Sequence, residues 1–452
     1  MSALGTRTRL GYSLGSFATG AFGTVPGLLL LPYLTDTMAV PAAVAGAIVL
    51  LPKAWDVLFN PVAGRISDGA LRRHGSRRPF LLIGGLVLAA CFAALFAGPG
   101  LGSTAADAAY VVVVFFVCAT AFAFFQVPFN ALPAELTEDY HERTRLTTWR
   151  IAVLALAILV SGAVAPAIAS GLGGTAGYRA MGAFVGVLIA LGAVAVYAGT
   201  RGAPVGRLRE PTPGWRDLLA TMRSWRAFRW LLTVYFLQAL GVATLLAGVN
   251  YVARYVLGDP DLQSALFAGF VGPALLVMPV WDRIGRSGGK LTGFRVSSVL
   301  LAAALGALAF SPAMATPVVF VFVALAGVGY AGIQVFPLAI LPDLISAEEE
   351  RTGATRAGIT AGVWTAAETL GLAVGPGLFG LVLSLGGYVS SGQSVATQPE
   401  SAVTAITVGF SALPAVFVAL ALPLLRRSVL GDRRPDGDPD ADATAPAEGG
   451  GA

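Results

Sequence analysis

The sequence predicts an all-α polytopic membrane protein whose twelve transmembrane helices form two six-helix bundles. Three observations carry that prediction. Of 452 residues, 56% are hydrophobic and only 12% charged, a balance that a water-soluble core cannot absorb because most of the chain would have to be buried. Apolar stretches of spanning length recur twelve times, each long enough to cross the hydrocarbon layer as a helix. The polar punctuation of the first six returns in the second six.

The first set of spans falls at about 10–35, 42–68, 79–98, 106–136, 143–170 and 176–200, and the first is long enough to read as a retained helix and not a cleaved signal. The second set falls at about 226–257, 261–283, 291–311, 316–346, 352–386 and 402–426, by the same criterion of length and apolarity. Residues 1–200 are therefore expected to form one bundle and 226–426 the other, joined by a polar, proline-containing cytoplasmic linker over 201–225 in which Trp215 to Met222 has the composition of a short interfacial helix. The tail, 427–452, is rich in Asp, Pro, Ala and Gly without apolar periodicity, which predicts disorder.

Orientation follows from arginine. Alternate loops collect Arg72, Arg73, Arg77 and Arg78, then Arg143 and Arg145, then Arg201 to Arg229, then Arg283, Arg286 and Lys290, whereas the intervening loops hold little beyond Arg179 and Arg254. The positive-inside bias then places both termini in the cytoplasm and the chain in the plasma (cytoplasmic) membrane. The net charge of +5 is accordingly topological and points to no nucleic-acid partner. Cys91 and Cys118 lie in separate apolar spans, and His74 and His141 lie far apart in polar loops, so neither a disulfide framework nor a metal site is expected. No phosphate-binding loop and no nucleophile with its base is present, which argues against an enzyme and against a cofactor. Work done by such a chain must draw on a gradient.

The internal repeat is explicit. Leu132, Pro133, Ala134, Glu135 and Leu136 precede Glu142, Arg143 and Thr144; Leu341, Pro342, Asp343 and Leu344 precede Glu350, Arg351 and Thr352, with Asp343 and Arg351 each 208 positions after Glu135 and Arg143. Asp68 beside Arg72 and Arg73 is matched by Asp282 beside Arg283 and Arg286. Asp68, Arg72, Arg77, Arg78, Glu135, Arg143, Asp282, Arg283, Asp343 and Arg351 are thus expected to form ionic contacts that latch helices on the cytoplasmic side. A six-helix unit duplicated in parallel is a transporter architecture.

Charges at membrane depth mark the candidate site. Lys53, Asp56 and Asn60 follow spacings of three and four, which puts them on one face of the second span. At about 1.5 Å rise per residue, Asp56 lies roughly 20 Å from each end of that helix. A charge there costs at least about 2.5 kcal/mol, so it requires an internal partner or a water-filled cavity. Glu368 stands midway along the eleventh span, and Arg150 in the fifth. Asp56 and Glu368, with the Asn60 carbonyl beside them, are the candidate cation-coupling groups, and Lys53 and Arg150 their charge partners; the alternative is a set of buried ion pairs that only fix helix packing. Gln126 and Gln334, with Gln238 and Asn250, offer hydrogen bonds to hydroxyls, and Phe129, Trp149 and Trp364 offer faces for a sugar ring or an apolar chain. The competing reading for each aromatic is ordinary packing.

Three stretches resemble a known family. They are Trp55, Asp56, Pro61, Gly64 and Asp68 leading into Gly75, Arg77, Arg78 and Pro79; Val127, Pro128, Phe129, Ala131 and Leu132 followed by Leu136, Thr137, Glu142, Arg143, Thr144 and Arg150; and Asp343, Thr352, Gly353, Gly358, Gly362 and Trp364, closing at Gly386 to Tyr388. In these the chain resembles the major facilitator superfamily and, within it, the glycoside-pentoside-hexuronide:cation symporters. The resemblance implies the major facilitator fold, alternating access, a sugar or glycoside as the small-molecule substrate, a coupling cation, and cation-site duty for Asp56. It also shows departures. Where the family carries a second helix-two acid the chain has Asn60, its sugar-binding acids align with Gly20 and Gln126, and its helix-eleven lysine aligns with Glu368. A proton is therefore expected ahead of sodium, in a monomer that works in the lipid bilayer. A lysolipid or other amphiphile carrier and a small-metabolite exporter are the alternatives within transport. A transport-inactive membrane sensor is the alternative outside it.

Overall fold

The computed structural model describes residues 4–137, 139–203, 225–352, 357–392 and 396–425. The linker helix expected over Trp215 to Met222 and the tail lie outside the described residues. Twelve spans follow one another: α1 (Thr6–Asp36), α2 (Ala42–His74), α3 (Arg78–Leu95), α4 (Thr104–Leu136), α5 (Tyr140–Leu172) and α6 (Gly174–Thr200), then α7 (Arg226–Val256), α8 (Leu262–Gly288), α9 (Lys290–Leu308), α10 (Thr316–Thr352), α11 (Ala357–Leu385) and α12 (Glu400–Leu424). Apolar segments take this form because a helix satisfies its own backbone hydrogen bonds where no water is available to do so.

The helices are not uniform rods. Prolines sit inside α2 (Pro52, Pro61), α4 (Pro128, Pro133), α8 (Pro273, Pro279), α10 (Pro337, Pro342) and α11 (Pro376), where each removes a backbone bond and lets the helix bend. Among the described residues wider π turns interrupt α1 at Pro26–Leu30 and α12 at Val408–Ala412 and close α7 at Val252–Val256. Such turns shift every following side chain relative to the α-helical phase.

Small residues set how closely the helices approach. Within the first half α1 crosses α6 at Gly11 and Gly199, where a Cβ on Gly11 would lie 2.6 Å from the Gly199 Cα, a contact that only glycine permits. Between the halves α2 packs on α11, α5 on α8, and the π turn of α1 on α7. These junctions concentrate at one end of the bundle. A Cβ on Gly46 would meet the Gly377 carbonyl oxygen at 2.9 Å, and the space beside Gly162 of α5 is filled by the Phe267 ring of α8. We call this the Arg-poor end and the opposite one, which carries Arg9, Arg72, Arg73, Arg77, Arg78, Arg201, Arg283 and Arg286, the Arg-rich end.

Candidate functional site

The first polar cluster lies at mid-depth in the first half. Asp56 is 2% exposed, and neither its Oδ1 nor the Oδ1 of Asn60, one turn further along α2, accepts a hydrogen bond. Lys53 turns toward α1 instead, donating to the Phe22 carbonyl at 3.4 Å with its Nζ 4.6 Å from the centre of the Phe22 ring. Arg150 of α5 is held by neutral groups: Nη2 donates to Asn130 Oδ1 at 2.5 Å, Nη1 donates to the Tyr12 hydroxyl at 3.2 Å, and the guanidinium rests 4.8 Å from the centre of the Phe129 ring. Among the described residues no carboxylate lies within 4 Å of Lys53 or Arg150. The expected charge partners, Lys53 one turn before the acid on α2 and Arg150 on α5, are thus not its ion-pair partners. Neither cation is spent on a carboxylate, so both can answer a negative or hydroxyl-rich ligand.

A second cluster lies in the other half. Tyr235 of α7 donates its hydroxyl to Glu368 Oε1 at 2.8 Å and stacks on Trp364, ring centres 4.2 Å apart. Glu368 therefore has a neutral partner and not Arg150. Gln126 and Gln334 are half-buried, while Trp149 is half-exposed. Gln238 and Asn250 donate to Ser298 Oγ and Gln263 Oε1 in the second half at 2.8 and 2.7 Å, while the buried Oε1 of Gln238 and Oδ1 of Asn250 accept no hydrogen bond.

A third polar network was not among the sequence-derived candidates. At the Arg-poor end Asp36, the last residue of α1, accepts a bond from Tyr388 at 2.6 Å and one from Thr35 at 2.8 Å, and faces Arg254 at 3.4 Å. Thr35 and Tyr251 hydroxyls meet at 2.8 Å, those of Tyr388 and Tyr255 at 3.1 Å, and the Ser391 amide donates to the Thr35 carbonyl at 3.0 Å. First-half residues are Thr35 and Asp36; the rest belong to the second half, so this network ties the halves together. Burial, and then the charge of Asp36, hold the Tyr388 phenol far above its usual range, so it remains a donor at any physiological pH. Arg254 and Tyr255 lie within the π turn of α7, which is why an α-helical phase did not aim them at α1. The available signal was the acid closing the first span and an arginine in an otherwise Arg-poor loop.

A family model described as MFS/sugar transport protein matches residues 11–432. The chain belongs to that family. A relative named "Uncharacterized symporter YjmB" from Bacillus subtilis is 25% identical over 93% of this chain and 91% of its own length. A "Putative glycoside/cation symporter YagG" from Escherichia coli is 26% identical over 96% and 94%. Among solved structures, that of the D-xylose-proton symporter has a TM-score of 0.62 at 16% identity and covers 93% of this chain and 98% of the other. This MFS protein is a multi-pass secondary transporter with the major facilitator fold.

In the transporter the repeated acids and arginines at the Arg-rich end are used unequally. Arg77, just before α3, bridges Asp68 of α2 at 2.5 Å and Glu135 of α4 at 3.0 Å. Arg78 donates to the carbonyls of Arg201 and Ala203 at 2.9 and 2.6 Å, fastening the end of α6. In the second half Asp343 takes Lys290 at 2.5 Å, Asp282 pairs with Arg286 on its own helix, and Arg351 pairs with Glu348 on its own helix. Arg72 and Arg283 are exposed without an ion pair among the described residues, and the Arg143 side chain lies outside them. Burial raises the Glu135 carboxyl above its usual range, against the pull of Arg77 and Arg78.

Proposed function

We propose that the transporter moves a sugar or glycoside together with a proton, by alternating access, and that this structure is its inward-facing state. The carrying observation is the Asp56 site. Two buried oxygens, Oδ1 of Asp56 and of Asn60, stand one turn apart at mid-membrane with no donor directed at them, an arrangement that costs free energy unless a proton or cation answers it. One carboxylate and one amide supply little charge for sodium, which leaves the proton as the favoured ion. Glu368, bonded to a neutral phenol, is the second candidate proton carrier. Arg150, Gln126, Phe129, Trp149, Trp364 and Gln334 then supply the sugar contacts. Membership of a sugar-transport family and the glycoside/cation name of a relative support this substrate class.

The state follows from where the halves are joined. The Arg-poor end carries the Asp36 network and the Gly46 crossing, whereas the ion pairs among described residues at the Arg-rich end each stay within one half. With the Arg-rich end in the cytoplasm, as the positive-inside bias requires, the closed end faces outward, the termini are cytoplasmic, and the membrane is the cell's own.

The test is counterflow in proteoliposomes with a panel of labelled glycosides and lysolipids. Exchange needs binding and alternation but no gradient. A glycoside is expected to exchange in wild type, in Asp56→Asn and in Glu368→Gln, while only the wild type accumulates it under an imposed pH gradient. Exchange of lysolipids without glycosides would overturn the substrate class, and accumulation under a sodium gradient alone would overturn the proton.

A further inference from the structure

Away from the transport site a groove opens on the outer face of the first half. Helices α2 and α3 each pack on α4 and scarcely on one another, which leaves between them a cleft of about 480 Å³ floored by Phe116, Val117, Thr120 and Phe124 and walled by Trp55 and Ile83. Its polar atoms are already committed: the Trp55 indole donates to Thr120 Oγ1 at 3.1 Å, and that hydroxyl donates to the Phe116 carbonyl at 2.9 Å. What remains is apolar, so the cleft suits a hydrocarbon and not a sugar. Ile83 of the wall and Val117 of the floor are exposed.

The cleft runs toward the Arg-rich end, where Pro79 and Phe80 at the start of α3 form its lower edge. From Trp55 an exposed track continues down α2 through Leu58, Val62 and Ile66 to Arg73; Trp55, Val62, Ile66 and Arg73 are spaced to share one helical face. Arg65 and Arg72 are exposed beside it. Arg65 spends only its Nε, on the Pro61 carbonyl at 3.4 Å, and among the described residues no carboxylate lies within 4 Å of Arg65, Arg72 or Arg73. Arg77 and Arg78, at the same corner, are consumed by protein groups. An apolar cleft that leads to three uncommitted guanidiniums at a membrane border has the charge and polarity profile of a phospholipid.

We propose that this cleft is a binding site for an anionic phospholipid of the leaflet at the Arg-rich end, one acyl chain lying between Trp55 and Ile83 and the phosphate held by Arg65, Arg72 and Arg73. The test is native mass spectrometry of the full chain in detergent, titrated with dioleoyl phosphatidylglycerol or dioleoyl phosphatidylcholine. Wild type is expected to retain the anionic lipid about tenfold or more in preference, the triple variant Arg65→Gln, Arg72→Gln, Arg73→Gln to retain both alike, and Val117→Trp, which fills the cleft, to retain neither. Equal retention by wild type, or undiminished retention by Val117→Trp, would overturn the site. A second measurement does not depend on that variant folding. In vesicles, the fluorescence component lost in Trp55→Phe should be quenched by brominated phosphatidylglycerol at a lower mole fraction than by brominated phosphatidylcholine, and equal quenching by the two also overturns the proposal.

Discussion

The two ends of the bundle are held by different means. At the Arg-poor end one carboxylate, one arginine, three phenols and a threonine cross between the halves, with Asp36 only 4% exposed. At the Arg-rich end the resolved ion pairs stay inside a half, and they are themselves unequal: Arg77 and its two acids are 10–18% exposed, whereas Lys290 and Asp343 are 42% and 59% exposed. Bonds that cross the halves must break for the transporter to change state. Bonds within a half only have to last.

That distinction can be broken experimentally. Arg77→Ala removes the shared ion-pair partner of Asp68 and Glu135 and leaves only Arg78 nearby, and loss of one partner from a buried pair costs about 3–5 kcal/mol; thermal unfolding in detergent should show the largest loss of this set, with no change in which end is accessible. Asp36→Asn should act in the opposite sense. It weakens charge-assisted bonds worth about 1.5–3 kcal/mol and should raise, roughly tenfold or more, the maleimide labelling rate of a cysteine placed at Leu50, which packs against Gly377 at the closed end. Tyr388→Phe removes one of those donors and leaves the Thr35 and Arg254 contacts of Asp36 in place, so it should produce a smaller rise in the same assay. Lys290→Ala, at an exposed pair, is expected to cost under about 1 kcal/mol; a loss equal to that of Arg77→Ala would show that the two copies of the latch do the same work.

The smallest effect is one of pH. Because burial raises Glu135, the folded state binds its proton more readily than the unfolded chain does, so this group adds stability as pH falls through its folded value and withdraws it as pH rises. Melting temperature followed over about pH 4.5–7 should show that slope in wild type, and Glu135→Gln should flatten it.

Most of the fold was legible because apolarity over a bilayer's width is a long-range signal. The span read at about 42–68 is α2 short of its last six residues, and the one read at about 226–257 is α7 to within a residue. The depth of Asp56 and Glu368 was legible for the same reason, since distance along a helix is counted in residues. Partners were not. Arg150 bonds to Asn130 and Tyr12, and Glu368 to Tyr235, because neutral groups on adjoining helices lie closer than any opposite charge, and sequence spacing says nothing about contacts between helices. The repeat at Glu135 and Asp343 was visible as residues, but Lys290 and not Arg283 reaches Asp343, a matter of where α9 begins. The closed end was least legible of all, since Arg254 and Tyr255 owe their direction to a π turn.

That turn has a consequence for how such a helix can change over generations. A π turn holds one residue more than the α-helical turn it replaces, so it works as a phase shifter: deleting a single residue within Val252–Val256 would restore the regular helix and rotate one side of the break by about 100° relative to the other. The apolar length of α7 would hardly alter, and the segment would still insert. Its arginine and tyrosine, however, would be turned away from Asp36, so a one-codon deletion could retune the closed end while leaving composition, hydropathy and span count as they were.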